Sequence, residues 1–347
     1  MPSAWSSWQQ PSPTPAAAAE NEGTADVVPL LFSREIPPSF KTPPSVCVDF
    51  SYQSAPLLPL SRSLRARQPS LFKPMNTRLH MFLHSTLPQT LQGIEAGYLS
   101  TPRLASVDNF RDVAGTHHAY QTINGPMRPG MFYRANVLTS NDEDWQVMSS
   151  LGISHVFDLR TTNEIANEPD LLPDGAAYRQ IDVLKSHMTG PEAEKVKIES
   201  PADVVALMQG ANKAFVANPQ VREKLGTLLT ELAQCEGPAI FHCASGKDRT
   251  GWVAALLQSI AGADDATIMS DYLATNAYTA ERVARKLATL PPAMAALYAP
   301  GMTVDASYLQ TGLDEVNSRY GDLQRYLAIG LNLESQTILA LRRKLIA

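Results

Sequence analysis

The chain of 347 residues sets 29 Lys and Arg against 34 Asp and Glu, a net charge of −5, and 44% of it is apolar. That mild acidity argues against a general nucleic-acid binder, whose balance would show a basic face, and the apolar fraction suffices for one large domain or two ordinary ones. No apolar run approaches the roughly 20 residues that span a bilayer, so no integral membrane segment is expected, and three cysteines, Cys47, Cys235 and Cys243, are too few for a disulfide framework. The N-terminus shows no basic stretch followed by a continuous apolar one, which points to the cytoplasm and leaves open an export route that uses no such signal.

Proline divides the chain. Thirteen of the 26 prolines fall in residues 1–74, where Gly23 is the sole glycine. Ser and Pro alternate there with no sustained period, and Pro37-Pro38 and Pro43-Pro44 block both helix and ladder. Residues 1–74 therefore read as a disordered tail, or as a segment upstream of a true start at Met75. The folded domain is placed at 75–347.

Within that domain, Ser140 and Glu143 have capping-box spacing, and the helix they would open carries Trp145 and Met148 and ends near Gly152. Ile153–Leu159 and Tyr178–Leu184 read as strands, with a polar, irregular stretch at 185–200. Helices follow at about 201–217 and 219–235, the second opening on Pro219. Pro238–Cys243 reads as a buried strand and Thr250–Ile260 as the helix after it. Residues 263–347 are helical by period, interrupted at Pro291-Pro292 and Pro300-Gly301. Strands alternating with helices give an α/β fold with a central, partly parallel sheet flanked by helices, and a helical C-terminal part.

The segment His242-Cys-Ala-Ser-Gly-Lys-Asp-Arg-Thr-Gly251 lies between the last strand and its helix. A thiol at the carboxyl end of a strand and a following helix N-terminus share one edge, where α/β folds build their sites. The unpaired N–H groups and positive dipole end of that helix favour a thiolate. Arg249 adds a permanent charge with a planar fork that matches two phosphate oxygens. The intervening residues can curl their amides around one tetrahedral anion; Gly246 allows the tight backbone, and the Thr250 hydroxyl can donate to sulfur. The assembly describes a nucleophile aimed at a phosphorus atom.

His-Cys-x5-Arg-Thr-Gly is the signature of the cysteine-dependent phosphatases, and its Gly-Lys-Asp-Arg-Thr-Gly form resembles their atypical tyrosine/dual-specificity branch. Asn109–Gly115, Arg128–Ala135, Val156–Arg160, Asp271–Asn276 and Tyr308–Leu341 resemble it too, so the likeness covers about 100–347. The resemblance implies a single phosphatase domain that removes phosphate from phosphotyrosine, and from phosphoserine or phosphothreonine, through a phosphocysteine intermediate. It implies Cys243 as nucleophile, Arg249 as the clamp, and a phosphate cup of Ala244, Ser245, Gly246, Lys247, Asp248, Arg249 and Thr250, with no metal or other cofactor. Two carboxylates compete for the general acid: Asp248 within the loop, placed ahead, and Asp158 at a strand end. Lys247 in the cup would attract a second phosphate, which makes phosphoinositides an alternative substrate to phosphoproteins; a non-catalytic phospho-ligand binder is a weaker reading. Asp112 and His242 read as architectural, Cys235 as an ordinary thiol unless it lies close enough to serve as a redox partner.

Overall fold

The computed structural model describes residues 101–184 and 198–347. The proline-rich segment 1–74 lies outside the described residues, as does most of the polar stretch at 185–200.

Seven short strands form two sheets. They are β1 (Arg111–Asp112), β2 (Gln121–Thr122), β3 (Gly125–Pro126), β4 (Phe132–Ala135), β5 (His155–Asp158), β6 (Ala177–Gln180) and β7 (Ala239–His242). β2 and β3 make a hairpin; the others form one sheet in the order β1-β4-β7-β5-β6. β4, β7, β5 and β6 are mutually parallel, and β1 runs antiparallel at the edge. The register sets Ala135, Asp158 and His242 level, with Gln180 beside Asp158. One sheet edge thus gathers the carboxyl ends of β4, β7, β5 and β6.

Side chains alternate across the sheet with the period of two that a strand dictates. Phe132, Phe157, Ala239 and Phe241 enter the larger core, while Tyr133, Val156 and Ile240 enter a smaller one. The smaller core is closed by α1 (Asp142–Ser150) through Met148. α2 (Thr162–Asn167) follows β5. The larger core is covered by α3 (Pro201–Ala217), α4 (Pro219–Gln234), α5 (Asp248–Ala261), α6 (Asp265–Ala288), α8 (Ala306–Tyr320) and the C-terminal α10 (Ser335–Leu345), with the short α9 (Leu323–Arg325) leading into a π-turn, while α7 (Pro292–Met302) packs Tyr298 against Val204 of α3 in a third, small cluster. Every residue of α5 is buried, as befits a helix enclosed on all sides. Its Trp252 is fully buried, with ring centroids 5.8 Å from Phe215 and 6.1 Å from Tyr326; truncating such an aromatic costs about 3–5 kcal/mol.

Some boundaries differ from the sequence reading. The cap of α1 is Asn141, whose side chain accepts from the Asp144 amide, and Ser140 Oγ has no partner. Asn caps as well as Ser, and the one-residue shift makes Asp144 the third helical residue, where its carboxylate binds the Ser106 and Ala105 amides at 2.6 and 3.2 Å. True capping boxes occur instead at Thr161/Glu164 and Ser200/Asp203. Pro300 does not break α7 but lies inside its last turns, where few intrahelical bonds remain to be lost. β4 was invisible in the sequence because a four-residue strand bearing Arg134 lacks an apolar run.

Candidate active site

The loop from Cys243 to Lys247 joins the central strand β7 to the buried helix α5. Gly246 makes this path possible: its φ is +65°, and a Cβ there would stand 2.4 Å from the Ala135 carbonyl oxygen. Lys247 precedes α5 with no side-chain cap, so the helix N-terminus faces the loop uncovered.

The loop's carbonyls are all engaged outward. Ala244 O accepts from the Val137 amide at 3.3 Å, and Lys247 O accepts from Gly251 N at 2.8 Å. Ser245 O accepts from Asn109 Nδ2 at 3.4 Å and Arg282 at 3.3 Å; Gly246 O accepts from Asn109 Nδ2 at 2.7 Å and Arg134 at 2.9 Å. By contrast, the amides of Ala244, Ser245, Gly246, Lys247 and Asp248 donate to no protein acceptor among the described residues. A fixed carbonyl fixes the opposite end of its peptide dipole. Five successive N–H groups are thereby left to converge on one anion, in a fold where buried amides are otherwise almost always paired.

Cys243 is 2% exposed at the head of this loop. Arg249, 1% exposed, is held by Glu164 through a two-pronged pair of 2.7 and 2.9 Å and by the Leu159 carbonyl at 3.2 Å. Burial opposes the charge of Arg249, yet Glu164 and then Cys243 outweigh it and keep the guanidinium protonated. Burial likewise opposes charge on Glu164, while Arg249 and the Thr161 cap hold its carboxyl below the usual range. Thr250 Oγ1 is buried without a hydrogen-bond partner. Glu164 was not legible as a site residue: the Thr161-x-x-Glu164 cap signal marks a helix start, but its meeting with a residue 85 positions away is tertiary.

Behind the loop, Asp271 of α6 is buried between Arg111 at 3.1 Å and Arg134 at 2.7 Å, with the Tyr120 hydroxyl at 3.2 Å. Burial works against its charge, but the two guanidinium groups keep Asp271 below the ordinary carboxylate range. Arg134 is pushed down to about 10 by burial and by Arg111, against the pull of Asp271. This cluster secures Arg134 against the Gly246 carbonyl, and Arg111 donates to Asn109 Oδ1, aiming the amide that binds the same oxygen. Asp112 is architectural in placement: its carboxylate accepts from the Ala114 and Gly130 amides at 2.8 and 2.6 Å, and burial pushes it up to about 7.

The two candidate acids sit in different settings. Asp248 opens α5, its Oδ2 3.2 Å from Lys247 Nζ and its Oδ1 accepting from Tyr272 at 3.5 Å. Asp158 is wholly buried and saturated: Arg160 donates from Nε to Oδ1 at 2.9 Å and Oδ2 at 3.0 Å and from a terminal nitrogen at 2.7 Å, the Arg160 amide at 2.9 Å, and Tyr178 OH at 2.8 Å. Burial would raise its pKa, but His242 and Arg160 hold it far below the carboxylate range. A group so held has no proton to give, which counts against Asp158 as the acid. His242 is buried behind the loop, Nε2 3.2 Å from Asp170, whose charge, with that of Asp158, outweighs burial and raises the imidazole pKa. Asp158, Asp170 and His242 cluster as metal ligands might, but Arg160 lies 2.7 Å from each carboxylate and already supplies the cation.

Lys247 is not turned to the cup. It is 2% exposed, its ammonium bound to the carbonyls of Gly301 and Thr303 at the end of α7 and paired with Asp248, a favoured seat for a cation. That removes the residue on which a second-phosphate attraction rested. Cys235 closes α4 at the opposite end of β7, a strand of four residues. At about 3.3 Å per residue the two cysteines are roughly 13 Å apart, beyond the ~7 Å limit for a disulfide. Burial pushes the Cys235 thiol up to about 11, so it is an inert thiol.

A buried thiol at the head of a loop of open amides, with a buried guanidinium following at the carboxyl edge of a parallel sheet, is the arrangement expected of the cysteine-dependent phosphatases. The model of the tyrosine phosphatase family matches residues 102–347, and the chain belongs to that family. Among curated relatives, the triple specificity protein phosphatase PtpB of Mycobacterium tuberculosis is 29% identical over 63% of this chain and 90% of that protein. A Cupriavidus necator protein with a provisional tyrosine-protein phosphatase name is 25% identical over 72% of this chain and 91% of that one. A tyrosine-protein phosphatase of Nostoc commune is 32% identical over 38% of this chain and 43% of its own length. The chain is a protein-tyrosine phosphatase, with phosphorylated protein as its substrate. No helix among the described residues is long and apolar enough to cross a membrane.

Proposed function

We propose that Cys243 carries the reaction as a thiolate nucleophile. The observation that supports this best is the set of five unpartnered amides, 244–248, whose carbonyls are all tied outward around the thiol. The sulfur attacks phosphorus, the P–O bond to tyrosine breaks, and a phosphocysteine forms. The amides and Arg249 hold the equatorial oxygens as charge develops, with their directions set before substrate arrives. Glu164 positions Arg249; water then attacks phosphocysteine and phosphate is released, and the Thr250 hydroxyl, unpartnered among the described residues, is assigned a hydrogen bond to the departing thiolate.

Asp248 is assigned the proton for the tyrosine oxygen, since it belongs to the loop and opens α5 beside the open amides. Phosphoserine and phosphothreonine fall within the same chemistry. A phosphoinositide substrate loses its support with Lys247 engaged at α7. The domain is assigned to 75–347, with 1–74 as an extension, and its place of action to the cytoplasm.

The test is hydrolysis of aryl phosphates with chelator present. Cys243→Ser should reduce turnover at least ~10⁴-fold, and undiminished activity, or activity that requires added metal, would sink the mechanism. Asp248→Asn should slow substrates with poor leaving groups by ~10²-fold or more and hardly affect those whose leaving oxygen needs no proton. Equal losses on both would remove Asp248 from the acid's role.

A further inference from the structure

A cleft of about 320 Å³ adjoins the cup at Ala244 and Ser245, and Arg282, Arg285 and Lys286 of α6 line it too. In a chain of net charge −5, three cations along one stretch of helix are a local reversal of sign. We propose that this wall is a subsite for a second anionic group, a carboxylate or phosphate one or two residues from the phosphotyrosine, so that the enzyme selects acidic phosphopeptides. The proposal deepens, and rests on, the phosphatase reading above.

Helical spacing gives the reach. Arg282 touches the loop itself, donating to the Ser245 carbonyl at 3.3 Å while Nε stands 3.0 Å from Asp108. Arg285 and Lys286 follow three and four positions later, on the same face, one turn or about 5 Å farther from the cup. An extended peptide advances ~3.3 Å per residue, so the side chain next to the phosphotyrosine, or the one beyond, comes level with them.

Arg285 is able to change partners. Arg285 is 65% exposed, and its contacts are long: 3.9 Å to Asp108 and 3.6 Å to the exposed Glu281. Exposed pairs of that kind contribute little, so exchanging them for a substrate anion costs little. Of the carboxylates that line the cleft, Asp108 is engaged by Arg282, and Glu168 ends α2 rather than α6. The field therefore runs across the cleft, favouring negative charge along α6 and disfavouring it beside Glu168. Arg282, by its bond to Ser245, belongs to the support of the cup; Arg285 and Lys286 are the ones that discriminate.

The experiment compares phosphotyrosyl peptides carrying Glu or Gln at the flanking positions, with the wild type and an Arg285→Gln/Lys286→Gln double variant. At low salt the wild type should favour the Glu peptide roughly tenfold in kcat/KM, mainly through KM. That preference should shrink to about twofold or less in the double variant, and should fall with added salt in the wild type. Absence of the preference in the wild type, or its survival in the variant, overturns the proposal. So does a variant that loses turnover of a short-chain phosphoinositide while keeping its peptide preference. Binding of the same peptides to Cys243→Ser, read by fluorescence anisotropy, tests the subsite without turnover. Failure of the wild type on a small aryl phosphate would instead count against the phosphatase mechanism.

Discussion

Two buried polar clusters stand a few residues apart at the carboxyl edge of the sheet, and they are finished differently. Around Asp158, the groups satisfy one another: Arg160 bridges Asp158 and Asp170, with Tyr178 and His242 completing the set. Around Cys243, the guanidinium of Arg249 is matched by Glu164, but five successive amides and the Thr250 hydroxyl have no protein partner among the described residues. Buried charge closed on itself is scaffold, because any group added or removed there leaves an unpaired charge. Buried donors left open are a site, because their cost in the folded protein is recovered only by an anion. The two candidate acids fall on opposite sides of that line: Asp158 inside the closed set, Asp248 in the loop beside the open amides.

The comparison can be broken most directly at Asp158. Asp158→Asn should cost about 3–5 kcal/mol of stability by removing one of the two carboxylates that pair with buried Arg160, read as a loss in denaturant midpoint. The ratio of rates on good and poor leaving groups should stay as in the wild type. A collapse of that ratio would return Asp158 to the chemistry.

Glu164→Gln sharpens the other side. It keeps the shape but weakens the fork that aims Arg249, and a misaimed clamp costs transition-state binding. We expect kcat/KM to fall by roughly 30-fold, about 2 kcal/mol, with kcat carrying most of the loss. A change confined to KM would show that Glu164 acts on ground-state binding alone.

Acid lability gives the smallest signal per group. Asp158, Asp271 and Glu164 have carboxyl pKa values held below the ordinary range. Their contribution is present above the unfolded value near 4 and is lost as pH falls through the depressed native values. Asp112, pushed up to about 7, acts in the opposite sense: its contribution is present at low pH and lost as pH rises from about 4 to 7. Stability should therefore fall as pH drops below 4, by about 1.4 kcal/mol per pH unit for each proton taken up on unfolding, read as a falling melting temperature. The decline between pH 4 and 7 should be shallower in Asp112→Asn.

Much of this molecule was legible from its residues in order. The strand–loop–helix around Cys243, the strands β5 and β6 on one side of it and the helical C-terminal part follow from periodicity, turn residues and the spacing of Cys243 and Arg249. Those features are local: a nucleophile must end a strand, a glycine must allow the turn, and the clamp must follow within one loop. What the tertiary structure alone decided is which polar groups meet. Glu164 reaches Arg249, Asp271 locks Arg111 and Arg134, Lys247 turns away to α7, and Cys235 falls at the wrong end of β7. No pattern in the chain reports those meetings, because the free energy of a buried charge depends on its partner's position and not on its own identity. The strand β4, charged and short, was hidden for the same reason: Arg134 is tolerated in the sheet only because Asp271 and the Gly246 carbonyl are there to receive it.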